Sequence, residues 1–179
     1  MAADLTSDRM EIARRYFALI EELRSGNEEA VPQLMELWDQ DGTFQFVGAP
    51  PVVGTFEGAM AIHTLYKNRV RSDRMRLSLE SSGDSPIDVA LSVVETNVGH
   101  LREHEGRVLA GWRTTIGTTE GHGFDVAGSH QFTFEGDKIK RLRVTVSPKA
   151  DDSRMESLSL KDLSVSDVGR LSLAAWPVV

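Results

Sequence analysis

The stretch AGSHQFTFEGDKIKRLRVTV, residues 127–146, decides the fold. It is typical of a strand that begins at Val126, an acidic turn over residues 135–138, and a second strand from Ile139. Because side chains alternate between the two faces of a strand, one face carries Val126, Gly128, His130, Phe132 and Phe134. The pattern therefore predicts an antiparallel hairpin with one imidazole in an otherwise apolar row.

Upstream of this hairpin, a helical start gives way to a long run of strand-like sequence. Apolar spacing predicts amphipathic helices over Ser7–Leu23, Asn27–Trp38 and Ala59–Arg69. Alternation and turn residues predict strands at Thr43–Val47, Val52–Phe56, Met75–Leu79, Leu91–Glu103, Arg107–Thr118, Phe124–Phe134 and Ile139–Ser147. The short turns between the later strands indicate a sequential antiparallel sheet.

These elements predict an α+β fold, in which three N-terminal helices cover a cone-shaped, curved antiparallel sheet. We expect the cone domain to span residues 1–147, and residues 148–179 to form a C-terminal extension with a short apolar helix. The apolar spacing of Leu158–Val179 means that this segment buries against something. Docking on its own subunit or on a partner, and closing the mouth of the cone, are both open.

Composition excludes several classes of function. The 179 residues suffice for one domain, and 40% hydrophobic residues are typical of a globular protein. A formal net charge of -7 argues against nucleic-acid binding, which depends on clustered cations. No segment has the ~20 apolar residues of a membrane span, and the acidic N-terminus lacks the apolar core of a signal peptide, so we expect a cytoplasmic protein. The absence of cysteine excludes disulfides, a thiolate nucleophile and cysteine metal sites.

In element order, residues 8–147 resemble the nuclear transport factor 2-like (NTF2-like) superfamily, which includes ketosteroid isomerases, limonene epoxide hydrolases, scytalone dehydratases and SnoaL-type polyketide cyclases. The segments that carry the resemblance are RRYFALIEELRSGNEEAV, LWDQDGTFQF, VGTFEGAMAIHTLYKN and HQFTFEGDKI. The resemblance implies a small-molecule site inside the cone. It also implies a homodimer formed through the outer sheet face, where Leu109, Thr115, Gln131 and Thr133 lie.

Aligned with the ketosteroid isomerase pattern, Tyr16 matches the phenol that hydrogen-bonds the substrate oxygen, and Tyr66 matches its supporting tyrosine. The position of the proton-abstracting aspartate falls on Phe46, and the protonated aspartic acid of the oxyanion hole falls on His130. Because phenylalanine cannot abstract a proton, authentic steroid isomerisation is not expected. The limonene hydrolase carboxylate falls on Val144, which argues against that chemistry too.

The expected cavity suits an uncharged, hydrophobic ligand with one or two oxygens. Its expected lining is Tyr66, Phe17, Phe46, Trp112, Phe132 and Phe134. We hypothesise that His130 is the general acid/base and that Tyr16 donates to the ligand oxygen, without metal or cofactor. The alternative for His130 is a core histidine bonded to Tyr16 or to a backbone carbonyl.

Other polar residues are weaker candidates. Asp125 is a reserve base and Glu95 a further carboxylate, but each enters the cavity only if a β-bulge reverses the local alternation. His100 and His104 have a helical metal-binding spacing, yet on one strand they would be ~13 Å apart. We interpret His63 and His122 as solvated, Asp41 as the end of the second helix, and Trp38 as a core residue.

Two functions of different class remain open. The first is a cofactor-independent acid–base enzyme, of isomerase, dehydratase, cyclase or hydratase type, acting on a small hydrophobic oxygenated molecule. The second is a non-catalytic ligand-binding or dimerisation module with the same cone. The sequence does not identify the substrate, since one fold hosts many chemistries.

Overall fold

The structure is a computed structural model that describes residues 2–47, 54–68, 74–79, 87–118 and 123–148. Side chains are described at 8–47, 54–68, 97–115 and 127–145. The helices are α1 (Ala2–Arg24), α2 (Ala30–Glu36) and α3 (Ala59–Lys67). The strands are β1 (Trp38–Val47), β2 (Gly54–Glu57), β3 (Arg74–Leu79), β4 (Ile87–Val98), β5 (Arg102–His104), β6 (Arg107–Thr118), β7 (Gly123–Glu135) and β8 (Lys138–Pro148). His122 and residues 149–179 of the predicted extension lie outside the described residues.

Helix α1 buries the predicted apolar stripe and ends where the sequence indicated. Ala13, Tyr16, Ile20 and Leu23 are buried, at the spacing of one helix face. Gly26 then adopts a φ of 94°, which residues with a side chain rarely reach. Its N–H donates to the Leu23 carbonyl at 3.0 Å, and the N–H of Asn27 donates to the Glu22 carbonyl at 3.0 Å. The chain therefore turns sharply towards α2.

The described strands form one curved, unclosed sheet in the order β2-β1-β8-β7-β6-β4-β3, and β5 pairs with β6. The predicted α+β architecture with three covering helices is confirmed. The prediction of a wholly antiparallel sheet is wrong at one described pair, since β1 and β8 run parallel. Tight turns specify antiparallel neighbours, but β1 and β8 are far apart in sequence, so no local turn sets their relative direction.

The predicted strand Leu91–Glu103 is divided between two strands, because residues 99–101, between β4 and β5, interrupt the strand pairing. In this connection the Gly99 N–H donates to the Gly111 carbonyl at 2.8 Å. His100 lies in the connection between β4 and β5, and His104 lies on β5, so the assumption that both share one strand is wrong. Within the described part of the chain, no group of three or more His, Asp or Glu residues is placed to hold a metal ion.

Two rows of inward-facing side chains cross the sheet and form its core. The first row is Phe44, Leu142, Phe132 and Val108, and the second is Phe46, Val144, His130 and Ala110. All eight are buried. Helix α3 packs on β1 and β2, and α1 packs against β5 and β6. The imidazole of His130 is the one polar side chain in these rows.

None of the helices in the described ranges combines the length and apolar character needed to cross a membrane.

Candidate functional site

His130 lies in the middle of β7, between Ala110 on β6 and Val144 on β8. Its side chain has no exposed surface, and burial lowers the pKa of the imidazole to about 3, because the charged form loses its hydration. The ring is therefore neutral near pH 7. Neither Nδ1 nor Nε2 has a hydrogen-bond partner among the described residues. A neutral imidazole has one N–H donor and one acceptor nitrogen, and both functions are unused here.

Aromatic rings surround this imidazole. The ring centroids of Phe17, Tyr16, Phe132 and Trp112 lie 5.1, 5.9, 6.0 and 6.3 Å from that of His130. Phe17 and Tyr16 come from α1, and the other two come from the strands that flank or contain His130. Helix α1 and the sheet thus meet at the histidine.

Tyr16 is the end of a buried hydrogen-bond chain. The Trp38 Nε1–H donates to the Tyr66 hydroxyl at 3.2 Å, and the Tyr66 hydroxyl donates to the Tyr16 hydroxyl at 3.5 Å. A hydroxyl hydrogen rotates to suit its partners, so when Tyr66 donates to Tyr16, the O–H of Tyr16 can turn towards a further acceptor. Burial raises the pKa of both phenols well above the ordinary value, hence both stay protonated and can donate.

The structure brings most of the predicted site residues together. Tyr16, Phe17, Trp112 and Phe132 contact His130, and Tyr66 joins them through Tyr16. Phe134 is joined to this group through Phe132, whereas Phe46 is joined to it through Phe44, which contacts Tyr66 at 6.4 Å. Phe134 stacks on Phe132 at 6.2 Å and Phe46 stacks on Phe44 at 6.3 Å.

The two carboxylate candidates have described backbones only. The β6–β7 register runs without a shift past Asp125, which pairs with Thr115. The bulge on which the reserve role of Asp125 depended is therefore not found at that point of the pairing. In β4, by contrast, the register against β6 shifts between Val93 and Glu95, which places an irregularity beside the second candidate. The roles of both carboxylates remain predictions.

Sequence reasoning missed three features of this region. The sequence indicates only a core role for Trp38, yet its indole N–H donates to the Tyr66 hydroxyl. Thr114 is fully buried, and it shares a face of β6 with Trp112, a relation that simple alternation reveals. Trp112 itself was expected as apolar lining, but its buried Nε1 has no hydrogen-bond partner among the described residues.

Described residues line a groove at the sheet and a smaller cavity between helices. A groove of about 510 Å³ lies at the connection between β4 and β5, and Trp112 is part of its wall. The rest of the wall is Asn97, Val98, Gly99, His100, Arg102, Gly111 and Arg113. A cavity of about 280 Å³ lies between α2 and α3, beside His63. Tyr16 and His130 line neither, whereas Trp112 contacts both the groove and His130.

Comparison with solved structures identifies the fold. SalBIII, an epoxide hydrolase/cyclase-like enzyme in pyran ring formation in the polyether salinomycin, is 16% identical, with a TM-score of 0.53 over 79% of this chain and 92% of that one. An NTF2-like protein from Anabaena variabilis is 15% identical, with a TM-score of 0.53 over 79% and 91%. Bal32a, from a soil-derived mobile gene cassette, is 20% identical, with a TM-score of 0.51 over 78% and 89%.

The chain therefore has the NTF2-like fold that its sequence resembles. At these identities the likeness concerns the backbone and not the chemistry of the site. No protein-family profile matches the sequence, and no curated protein does either.

Proposed function

We propose that this protein binds a small, uncharged, hydrophobic molecule carrying oxygen inside the cone, and that it acts on this molecule by acid–base chemistry without a cofactor. His130 is the proton-transferring group, and the Tyr16 hydroxyl donates to the ligand oxygen. Isomerisation, dehydration, cyclisation and hydration all use these two roles.

The observation that carries the proposal is the pair of unpartnered nitrogens on His130. A polar group that is buried without a hydrogen bond destabilises a fold by about 1–3 kcal/mol, so native structures rarely retain one without a purpose. No described residue hydrogen-bonds either imidazole nitrogen, and the neighbouring Tyr16 hydroxyl can donate to a ligand when Tyr66 donates to it. A ligand oxygen between Tyr16 and His130 would satisfy these groups together.

The surroundings define what the imidazole can do. With a pKa of about 3, His130 begins the reaction as the neutral base. Taking a proton leaves an imidazolium in an apolar environment, which is unfavourable unless negative charge develops nearby. An oxygen that gains negative charge while it accepts the Tyr16 hydrogen bond supplies that charge. The geometry therefore favours substrates whose carbonyl becomes an enolate or an equivalent oxyanion.

One observation favours the second candidate, a non-catalytic binding module. The lowered pKa of His130 makes the imidazole a weak base before the ligand arrives, and four aromatic rings already pack around it. In this alternative His130 and Tyr16 only hold the ligand oxygen.

The test begins with native mass spectrometry of the purified protein, which identifies a copurified compound. Binding and conversion of that compound are then measured for the wild type, His130→Gln and Tyr16→Phe, with His104→Gln as the matched control at an exposed histidine. We expect His130→Gln to lower turnover by about 10²–10⁴-fold while KM changes little, since loss of a general acid or base has this size.

Unchanged affinity and turnover in His130→Gln would refute both roles of the histidine. A compound that binds the wild type, is never converted and binds His130→Gln more weakly would establish the binding module instead.

A further inference from the structure

Four buried side-chain nitrogens lack a hydrogen-bond partner among the described residues, and three of them belong to two neighbouring rings. These three are Nδ1 and Nε2 of His130 and Nε1 of Trp112. The fourth, Nε of Arg9, belongs to a side chain whose Nη1 donates to the Gly106 carbonyl at 3.5 Å. The unpartnered atoms are therefore concentrated at one place in the interior.

Trp112 packs over a glycine at that place. Its register partner on β7 is Gly128, the residue two before His130 on the same face. A Cβ at Gly128 would collide with the Thr145 carbonyl and with the Trp112 indole, whose Cε2 would be 2.6 Å away. The indole thus lies directly over the glycine, and Cε2 is the atom that carries Nε1. The glycine leaves room for the indole, whose ring centroid lies 6.3 Å from that of the imidazole.

The two outer donors belong to rings that each contact the imidazole. Tyr16 and Trp112 each contact His130, at centroid distances of 5.9 and 6.3 Å, but no described ring contact joins Tyr16 to Trp112. A carbonyl oxygen has two lone pairs, so one that accepts from Tyr16 and from His130 leaves the indole N–H without a partner. An indole N–H is a donor only, so its partner has to be a second acceptor.

The numbers of hydrogen-bond donors and acceptors at the site define the ligand that would complement it. The site offers three donors, which are the Tyr16 O–H, the Trp112 N–H and one N–H of His130, and it offers one acceptor nitrogen. The complement is a molecule with two oxygen acceptors and one hydroxyl hydrogen on a hydrophobic frame.

We propose that Trp112 determines specificity by binding a second oxygen of the ligand, so that the site selects uncharged hydroxyketones over simple ketones of the same frame. This inference rests on the proposed function, because it assumes that the first oxygen lies at Tyr16 and His130. Trp112 is a binding residue and takes no part in proton transfer.

The test uses three probes with one carbon skeleton: tetralin, with no oxygen, 1-tetralone, with a ketone, and 4-hydroxy-1-tetralone, with a ketone and a hydroxyl on the opposite ring carbon. Dissociation constants are measured for the wild type and for Trp112→Phe, which keeps an aromatic ring and loses the N–H. We expect the wild type to bind the hydroxyketone about 3- to 10-fold more tightly than 1-tetralone, the contribution of one hydrogen bond. In Trp112→Phe this ratio should fall to about 1.

The ratio of the two dissociation constants also controls for the lost ring volume in Trp112→Phe, because a packing defect weakens the binding of all three probes alike. A second readout is the effect of each probe on the spectrum of the wild type. Among the three tryptophan indole ¹H–¹⁵N resonances, the one missing in Trp112→Phe should move downfield with the hydroxyketone and not with 1-tetralone. An unchanged affinity ratio in Trp112→Phe, or an indole resonance that ignores the added oxygen, would overturn the inference.

The outcomes separate the two proposals. If 1-tetralone binds better than tetralin and Tyr16→Phe abolishes that gain, the proposed site of the first oxygen stands whatever Trp112 does. If the wild type binds 1-tetralone no better than tetralin, the assumed site for the first oxygen is wrong. Absence of binding by all three probes would count against both proposals.

Discussion

His130 is the residue on which the chemistry of this protein depends, and its burial links function to stability. In the unfolded chain a histidine titrates with a pKa of about 6.5. In the folded protein burial lowers the pKa of His130 to about 3. Between these values the unfolded state binds a proton that the folded state does not, so acid favours unfolding.

We therefore expect His130 to destabilise the fold by about 1.4 kcal/mol for each pH unit below ~6.5, and to have no such effect above it. Between pH 7.5 and pH 5.0 the loss from this residue is about 2 kcal/mol. Urea unfolding at both pH values measures it for the wild type, His130→Gln and the exposed control His104→Gln. The pH difference should shrink by that amount only in His130→Gln. Equal differences in all three proteins would show that the imidazole is hydrated in the folded state.

At the scale of elements, a hydrogen-bond chain connects the start of β1, helix α3 and helix α1. Trp38 is the first residue of β1, Tyr66 lies near the end of α3, and Tyr16 lies on α1. Trp38 donates to Tyr66, and Tyr66 donates to Tyr16. All three side chains are buried, so each group depends on its neighbour for hydrogen bonding.

Tyr66→Phe should destabilise the protein by about 1–3 kcal/mol, because it leaves the Trp38 N–H buried without an acceptor. Adding Trp38→Phe to that variant removes the orphaned donor, so the double variant should be more stable than the sum of the single changes predicts. The free energies of unfolding of the two single variants and the double variant form a double-mutant cycle, with an expected coupling of about 0.5–3 kcal/mol. A coupling near zero would mean that the 3.2 Å contact between Trp38 and Tyr66 does not persist in solution.

At the scale of the whole molecule, the outer face of the sheet is the surface on which the predicted homodimer depends. Leu109 is 37% exposed there, and its register neighbours are Gln131 on β7 and Arg102 on β5. Arg141 and Arg143 lie on the same face of β8, opposite Thr133 and Gln131. Neither arginine forms an ion pair within the described part of the chain. Two copies that meet through this face would bring like charges together.

If the homodimer uses this face, we expect self-association to strengthen with salt, since screening reduces the repulsion between arginines. Sedimentation velocity at low and moderate ionic strength measures the effect. Leu109→Arg should weaken the dimer, whereas Val98→Arg, at a similarly exposed residue outside this face, should not. A dimer that is unaffected by Leu109→Arg would place the interface elsewhere.

Much of the architecture was predictable, because it depends on local patterns. The α1 stripe through Ala13 and Leu23, the strand Arg107–Thr118 and the hairpin around Gly136 follow from helical spacing, alternation and turn chemistry. The connection between β4 and β5 at Gly99 and His100 was not predictable, since the residues on both sides have strand-like composition. Only the pairing of both strands with β6 shows where one strand ends and the next begins.

The candidate site, too, was predictable in part. Alternation along β7 suffices to place His130 on the apolar face, and resemblance to the NTF2-like superfamily singles out Tyr16 and Tyr66. Only the folded chain shows that Trp38 donates to Tyr66 and that the nitrogens of His130 and Trp112 have no described partner. Periodicity tells which way a side chain points, but hydrogen bonds depend on distances between elements that are remote in sequence. The parallel pairing of β1 with β8 is of the same kind, because packing of the whole sheet sets it and no local turn does.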